Sequence, residues 1–369
     1  MITFARTLDF SRAQGIKMVC KKDRLALKII TTIAVAFSTT VMAVEHKPNS
    51  TKIEPNPRCE AVPHPDISLA TTSIYRSDDK TQSKVDERSR LIYADTMRNV
   101  WSFVKIIGAD AELYYTDPRS NAFRGACAGE ALATWARAGA LTKLTTRSAQ
   151  FNIGHYLSSI AFSYKAIRPE VTAADQAVID SWLRAIALTL QKNINSLRNS
   201  NMTRNNIQYW NGLAMALVGE LTDDRSLFRS GMEAYSTGVC QVSENGSLPL
   251  EISRGQKALA YHLYAVAPLV QLAAIGMRHG IETFPRCHYG IVRLVNFTLK
   301  SSLDPTEIEK LTGFKQNLAP VDRFSGERFA WLLIYIKYEK IPFSMDYLPA
   351  DKSTLKDIFL GPMPRAPSR

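Results

Sequence analysis

The chain has 369 residues, 46% of them hydrophobic, and carries 46 Lys and Arg against 34 Asp and Glu, for a formal net charge of +12. That length and apolar content fit one large globular domain and exclude disorder as the main state. A basic balance without any Lys-rich or Arg-rich run argues against a nucleic-acid partner. It fits a polyanionic substrate, or a basic surface that serves only solubility.

At the N-terminus, Lys21, Lys22, Arg24 and Lys28 precede an apolar run from Ile29 to Phe37, followed by Val41-Met42-Ala43. This pattern predicts a signal peptide over residues 1–43, cleaved after Ala43. The apolar run is too short and too Thr-rich for a spanning helix, so no stable membrane insertion is expected after cleavage. Residues 1–43 hold seven Lys and Arg and two Asp, so the mature chain keeps a charge of +7. Cleavage also removes Cys20 and leaves Cys59, Cys127, Cys240 and Cys287, an even number in an oxidising compartment. Two disulfides are expected, with three pairings open and no Cys-x-x-Cys element to indicate zinc or redox chemistry.

Residues 44–64 are rich in Pro, Asn, Lys and Glu and read as an exposed arm. From there to about residue 350, apolar spacings of three and four predict helices over 84–106, 126–142, 150–167, 173–197, 205–219, 224–237, 254–278, 286–300 and 322–338. The strand signal is weak throughout. Long helices with short links imply an all-α fold of antiparallel pairs, stacked as a solenoid or closed into an α/α toroid. No fixed-period repeat supports a regular solenoid. Two longer irregular stretches, Asp66–Lys84 with Tyr75, Arg76 and Lys80, and Leu303–Val321, are candidate lid or binding loops, or plain surface excursions. Residues 351–369 form a C-terminal tail, Pro-rich and frayed from Met363 onward.

Metal-binding His-x-x-x-His, Gly-rich phosphate loops and Gly-x-Ser-x-Gly elements are all missing, so the sequence calls for no cofactor. Two polar segments in otherwise apolar helices remain. In Arg204-Asn205-Asn206-Ile207-Gln208-Tyr209-Trp210 the tandem Asn opens a helix, which explains one Asn as a cap. Gln208, Tyr209 and Trp210 add hydrogen-bonding groups and rings of the kind that contact sugars. In the second segment, from Gly246 to His262, Arg254 and Tyr261 are seven apart, and on one continuous helix their azimuths would differ by about 20°. An Arg there pairs with a carboxylate while the phenol reaches the same sugar ring; the plainer reading is two side chains packing along one face.

These segments resemble the alginate lyase family of periplasmic poly-mannuronate lyases. The family's Asn-Asn-His-x-Tyr-Trp element is matched by residues 205–210, and its Leu-Pro-x-Glu-x-x-Arg-Gly-x-x-Ala-Leu-x-Tyr-His element by residues 248–262. Cys127, Leu132 and Trp135-Ala136 before Ala140-Leu141 add to the likeness. The resemblance implies an incomplete α/α barrel, or α/α toroid, with a cleft for an anionic polysaccharide, no obligatory metal, β-elimination of a uronate polymer, and a Cys59–Cys127 disulfide. It implies catalytic roles for Asn206, Arg254 and Tyr261, with Asn206 and Arg254 neutralising the substrate carboxylate. Tyr261 moves the proton, its pKa lowered by Arg254. Asn205, Gln208, Tyr209, Trp210, Trp135, Tyr75, Arg76, Lys80 and His262 are the expected substrate contacts.

One position departs: the family's histidine is Ile207 here. Three consequences are open. Tyr261 suffices alone on a syn-reacting polymer such as mannuronan or glucuronan; another histidine, His155 or His262, takes over; or the protein is a weak or inactive uronate-polymer-binding protein that assists exopolysaccharide export.

Overall fold

A computed structural model describes residues 59–197, 204–319, 325–338 and 354–364, all within the unit Cys59–Arg369. The leader, most of the N-terminal arm and residues 365–369 lie outside the described residues.

Helices dominate: α1 Glu87–Thr96, α2 Arg98–Thr116, α3 Ala122–Arg137, α4 Arg147–Ile167, α5 Ala173–Asn195, α6 Asn206–Leu221, α7 Arg225–Cys240, α8 Pro249–Ile252, α9 Ala258–Arg278, α10 Arg286–Leu303, α11 Thr306–Thr312, α12 Gly326–Phe329 and α13 Trp331–Tyr338. Their starts follow the capping residues in the sequence. Asp86, Thr146, Thr172, Asn205 and Asp224 each accept a backbone N–H from the first turn of α1, α4, α5, α6 and α7, satisfying donors that the helix itself leaves unpaired.

Packing arranges these helices in two rings. Along the inner ring α2, α4, α6, α9 and α13 touch in succession; along the outer ring α3, α5, α7 and α10 do. Consecutive helices of the chain alternate between the rings, which is the α/α toroid. α6 and α9 are apolar on every side, and all but a few of their residues are buried. The stretch Gly255–Arg278 is apolar and long enough to cross a membrane by composition, yet here it is the buried inner helix.

Close approach of the rings depends on small residues. On α7, a Cβ at Gly231 would meet Ala216 Cβ at 2.5 Å and the Gly212 carbonyl oxygen at 2.6 Å on α6. In α9, Pro268 has no N–H to return to Tyr264, and the Trp210 indole of α6 donates to that carbonyl instead, at 3.1 Å. One proline thus couples two inner helices beside the candidate site.

Several predicted boundaries shift. The helix expected over 84–106 breaks at Met97 into α1 and α2, and the one expected over 254–278 starts at Ala258. The stretch Leu303–Val321 contains α11. Within Asp66–Lys84, Ser68–Leu69 (β1) pairs in parallel with Lys143–Leu144 (β2), too short a pairing to leave an alternating pattern. The C-terminal residues 354–364 run into the core: Leu355, Leu360 and Met363 are buried, and Ser159 and Gln271 donate to the carbonyls of Ile358 and Leu360. Disulfides join Cys59 to Cys127 on α3, and Cys240 at the end of α7 to Cys287 at the start of α10.

Because the atoms facing Gly231 include backbone, Gly231→Ala is expected to cost about 1–3 kcal/mol, read as a lower urea midpoint.

Candidate active site

The site begins where α6 does. Asn205 caps the helix by accepting from Ile207 N at 3.1 Å, which places Asn206 as its first residue, buried at 3% exposure. Asn206 donates its backbone N–H to Glu251 Oε1 at 2.9 Å, and its Nδ2 lies 3.0 and 2.9 Å from the two Glu251 oxygens. Glu251 is 1% exposed on α8, and burial pushes its carboxyl pKa above the ordinary value, against the opposing pull of Asn206 and Arg254. The start of a helix suits a carboxylate, because unpaired N–H groups point out there. Sequence reasoning assigned Glu251 no role; the available signal was an acid in the apolar Leu248-Pro249-Leu250-Glu251 run.

His262 fastens α8 to α9. Its Nε2 accepts from Leu248 N at 2.9 Å and its Nδ1 lies 2.8 Å from the Ala258 carbonyl, so both ring nitrogens are used internally. Burial lowers its pKa to about 4. This corrects the expectation of a substrate contact or substitute base. His155 is buried among Tyr156, Trp210, Tyr264 and Phe359, with its pKa lowered to about 3 by burial.

Arg254 and Tyr261 meet, for a different reason than helical spacing. The chain between them is not one helix: Gly255, at φ +56°, leaves the right-handed region and starts the 3₁₀ turn Gly255–Lys257 before α9. That turn folds the guanidinium back over the Tyr261 ring, Cζ 3.9 Å from its centroid. Tyr75 OH lies 2.6 Å from Tyr261 OH. Arg254 Nη1 donates to Gln82 Oε1 at 2.9 Å, while its buried Nε has no acceptor among the described residues. The Tyr261 phenol is pushed well above its ordinary pKa by burial and by Tyr75, and Arg254 offsets this only in part. The expected lowering is therefore reversed: desolvation of the buried phenol outweighs one cation.

The loop carrying Tyr75 and Gln82 is held in shape by Asp79, whose carboxylate accepts from the N–H groups of Thr81, Ser83 and Lys84 and from Thr81 Oγ1. These bonds hold its pKa well below the usual carboxylate range. A bridge between Tyr75 and Val85 closes the loop. Gln82 sits at φ +50°, uncommon for a residue with a side chain, and presents its amide to Arg254. Gln82 was also missed from sequence, since a glutamine in a polar loop has no distinguishing pattern. Arg76 pairs with Asp78 at 2.7 Å in solvent, and Lys80 is exposed on the same loop.

The remaining predicted contacts lie elsewhere. Residues 208–210 follow one another on a helix and so point about 100° apart, which forbids one shared patch. Tyr209 is 1% exposed and donates to the Arg204 carbonyl at 3.0 Å, and Trp210 is engaged with Tyr264. Gln208 lines a separate cavity of about 620 Å³ with Arg204, Glu233 and Gln241. Trp135 is fully buried, stacked on Phe103 with centroids 3.7 Å apart, its indole donating to the Pro63 carbonyl.

His262 is neutral in the fold but protonated in the unfolded chain below pH 6.5, so its contribution is lost as pH falls from about 6.5 through 4. Urea unfolding is expected to weaken across that window, with a shallower pH slope in His262→Gln.

A family model described as Alginate lyase matches residues 70–308, a span that includes Asn206, Glu251, Arg254 and Tyr261. An alginate lyase of Pseudomonas putida (strain GB-1) is 29% identical over 285 residues, 75% of this chain and 76% of that protein. A polysaccharide lyase of Stenotrophomonas maltophilia (strain K279a) is 35% identical over 160 residues, 43% of this chain and 47% of its own length. Among solved structures, alginate lyase A1-III from Sphingomonas species A1 superimposes with a TM-score of 0.67 at 22% identity, covering 84% of this chain and 89% of that one. Its tyrosine-to-phenylalanine variant complexed with tetrasaccharide gives 0.68, covering 85% and 90%. The structural likeness speaks for the fold, and the family match extends over more than half of the chain: the protein belongs to the alginate lyase family of polysaccharide lyases.

Proposed function

We propose that this lyase cleaves a uronic-acid polymer of the mannuronan or glucuronan kind by syn β-elimination, in the periplasm after export by its leader. The observation that carries this reading is the placement of the Tyr261 hydroxyl, 2.6 Å from Tyr75 OH, with the Arg254 guanidinium stacked on its ring.

Elimination removes the C5 proton, forms the C4–C5 double bond, and breaks the C4–O4 bond as O4 takes up a proton. Charge builds on the carboxylate at C5, so donors must wait there, as in an oxyanion hole. Arg254 is the group with donors to give: it has five N–H bonds in a fixed fork, and its two terminal nitrogens donate to the side chain and carbonyl of Gln82. A substrate carboxylate replaces Gln82 at that fork. Asn206 borders the same carboxylate, its amide nitrogen oriented by Glu251.

Tyr261 takes the C5 proton as phenolate and returns it to O4 from the same side. Burial makes the free phenolate costly. The Arg254 cation over the ring stabilises that phenolate, which offsets part of the cost. With Ile207 in place of a histidine, one tyrosine serves as both base and acid, which suits a polymer whose C5 proton and O4 lie on one face of the sugar.

Incubation with mannuronan, glucuronan and mixed alginate is expected to raise ultraviolet absorbance from unsaturated ends on at least one polymer. Tyr261→Phe is expected to lower that rate by roughly 10²–10⁴-fold while leaving the melting temperature near wild type. Ile207→His is expected to raise turnover on mannuronan. Intact polymer at high enzyme loading, together with binding of the same polymer by calorimetry, would instead support the non-catalytic glycan-binding reading that Ile207 motivates.

A further inference from the structure

Lys257 is a cation of this site that the elimination does not use. It ends the 3₁₀ turn between Arg254 and α9 and is only 8% exposed, with its Nζ over the face of the Tyr75 ring, 4.8 Å from the centroid. No carboxylate among the described residues pairs with it. The acids nearby are already engaged: Glu251 by Asn206, and Asp79 by its own loop. Arg254 stands on the same ring, Cζ 5.8 Å from the Tyr75 centroid, and its like charge opposes that of Lys257. A buried ammonium whose contacts are a ring face and a second cation is costly, because charges out of water are normally paired. A ligand anion would complete it.

We propose that Lys257 binds the carboxylate of the uronosyl residue next to the one held by Arg254, so that the site selects runs of consecutive uronates over polymers in which uronate alternates with a neutral sugar. The inference rests on the polyuronate reading above and goes beyond it by naming a specificity residue. Two cations against one aromatic ring match a chain that presents one carboxylate per sugar. An alternating polymer would satisfy Arg254 and leave Lys257 unpaired.

Titration calorimetry on the whole protein would use two probes: a mannuronate tetrasaccharide, and a tetrasaccharide alternating glucuronate with N-acetylhexosamine. Lys257→Met is expected to weaken binding of the first by roughly 10- to 100-fold, the range for a charged hydrogen bond, and that of the second by less than about twofold. Lys257→Arg is expected to restore most of the loss. Because an unpaired buried charge is removed, the melting temperature of Lys257→Met is expected to hold or rise, whereas a merely structural lysine would lower it. The wild type offers a readout that needs no variant. Burial and Arg254 lower the Lys257 pKa to about 8, against the pull of Asp79. Mannuronate affinity is therefore expected to fall as pH rises from 7 to 9.5. Over that range guanidinium is charged, the Tyr75 and Tyr261 phenols are held up by burial, and Asp79 is ionised.

Equal weakening of both probes with a lower melting temperature would overturn the proposal, as would unchanged binding with a flat pH profile. If the wild type binds no uronate oligomer, the polyuronate reading fails and takes this one with it. If it binds both probes and Lys257→Met matches it on each, only the Lys257 assignment fails.

Discussion

The three short contacts between Asn206 and Glu251 join two parts of the chain that are 45 residues apart, and most of the site's geometry follows from them. A carboxylate at 1% exposure is expensive to bury alone. Here it takes a backbone N–H from the start of α6 and an amide from the same residue, so the helix end that needs an acceptor and the acid that needs donors satisfy each other. Once α8 is held against α6, Arg254 follows three residues later and lies over the Tyr261 ring. His262 reinforces this by binding the backbone on both sides of the connection.

Around that anchor the electrostatics are one-sided. Arg254 stands on the Tyr75 and Tyr261 rings and Lys257 on that of Tyr75, and the nearby Asp79 is already occupied by protein donors. Burial keeps the phenols neutral and pulls the lysine toward neutrality, which is how a folded chain limits the cost of charge without water. The arrangement is built for an anionic ligand that brings its own charge.

Backbone interruptions position these groups. Gly255 ends the run of helix and allows Arg254 to double back onto Tyr261, Pro268 frees a carbonyl that holds Trp210, and Gln82 takes a left-handed conformation to meet Arg254. The regular parts of the toroid supply rigid inner walls; the irregular parts aim the side chains.

Helix type and most helix positions were largely legible in the sequence, because apolar periodicity and caps are local properties: Asp86, Thr172 and Asp224 stand where helices begin. The motif that named Asn206, Arg254 and Tyr261 was visible in the sequence; that Arg254 lies over the Tyr261 ring and Asn206 against Glu251 came from the fold. What the sequence could not state is which neighbour each residue meets. Trp135, Tyr209, Trp210 and His262 share residue types with sugar-binding sites, yet packing between rings turns them into the core. Gln82 reaches the site across the chain, by a contact that leaves no local pattern, and the acid in the apolar run at Glu251 does not say that Asn206 is its partner. The direction of the Tyr261 pKa followed the same rule: a cation seven residues away is visible in sequence, whereas the loss of water around the phenol exists only once the fold has closed over it.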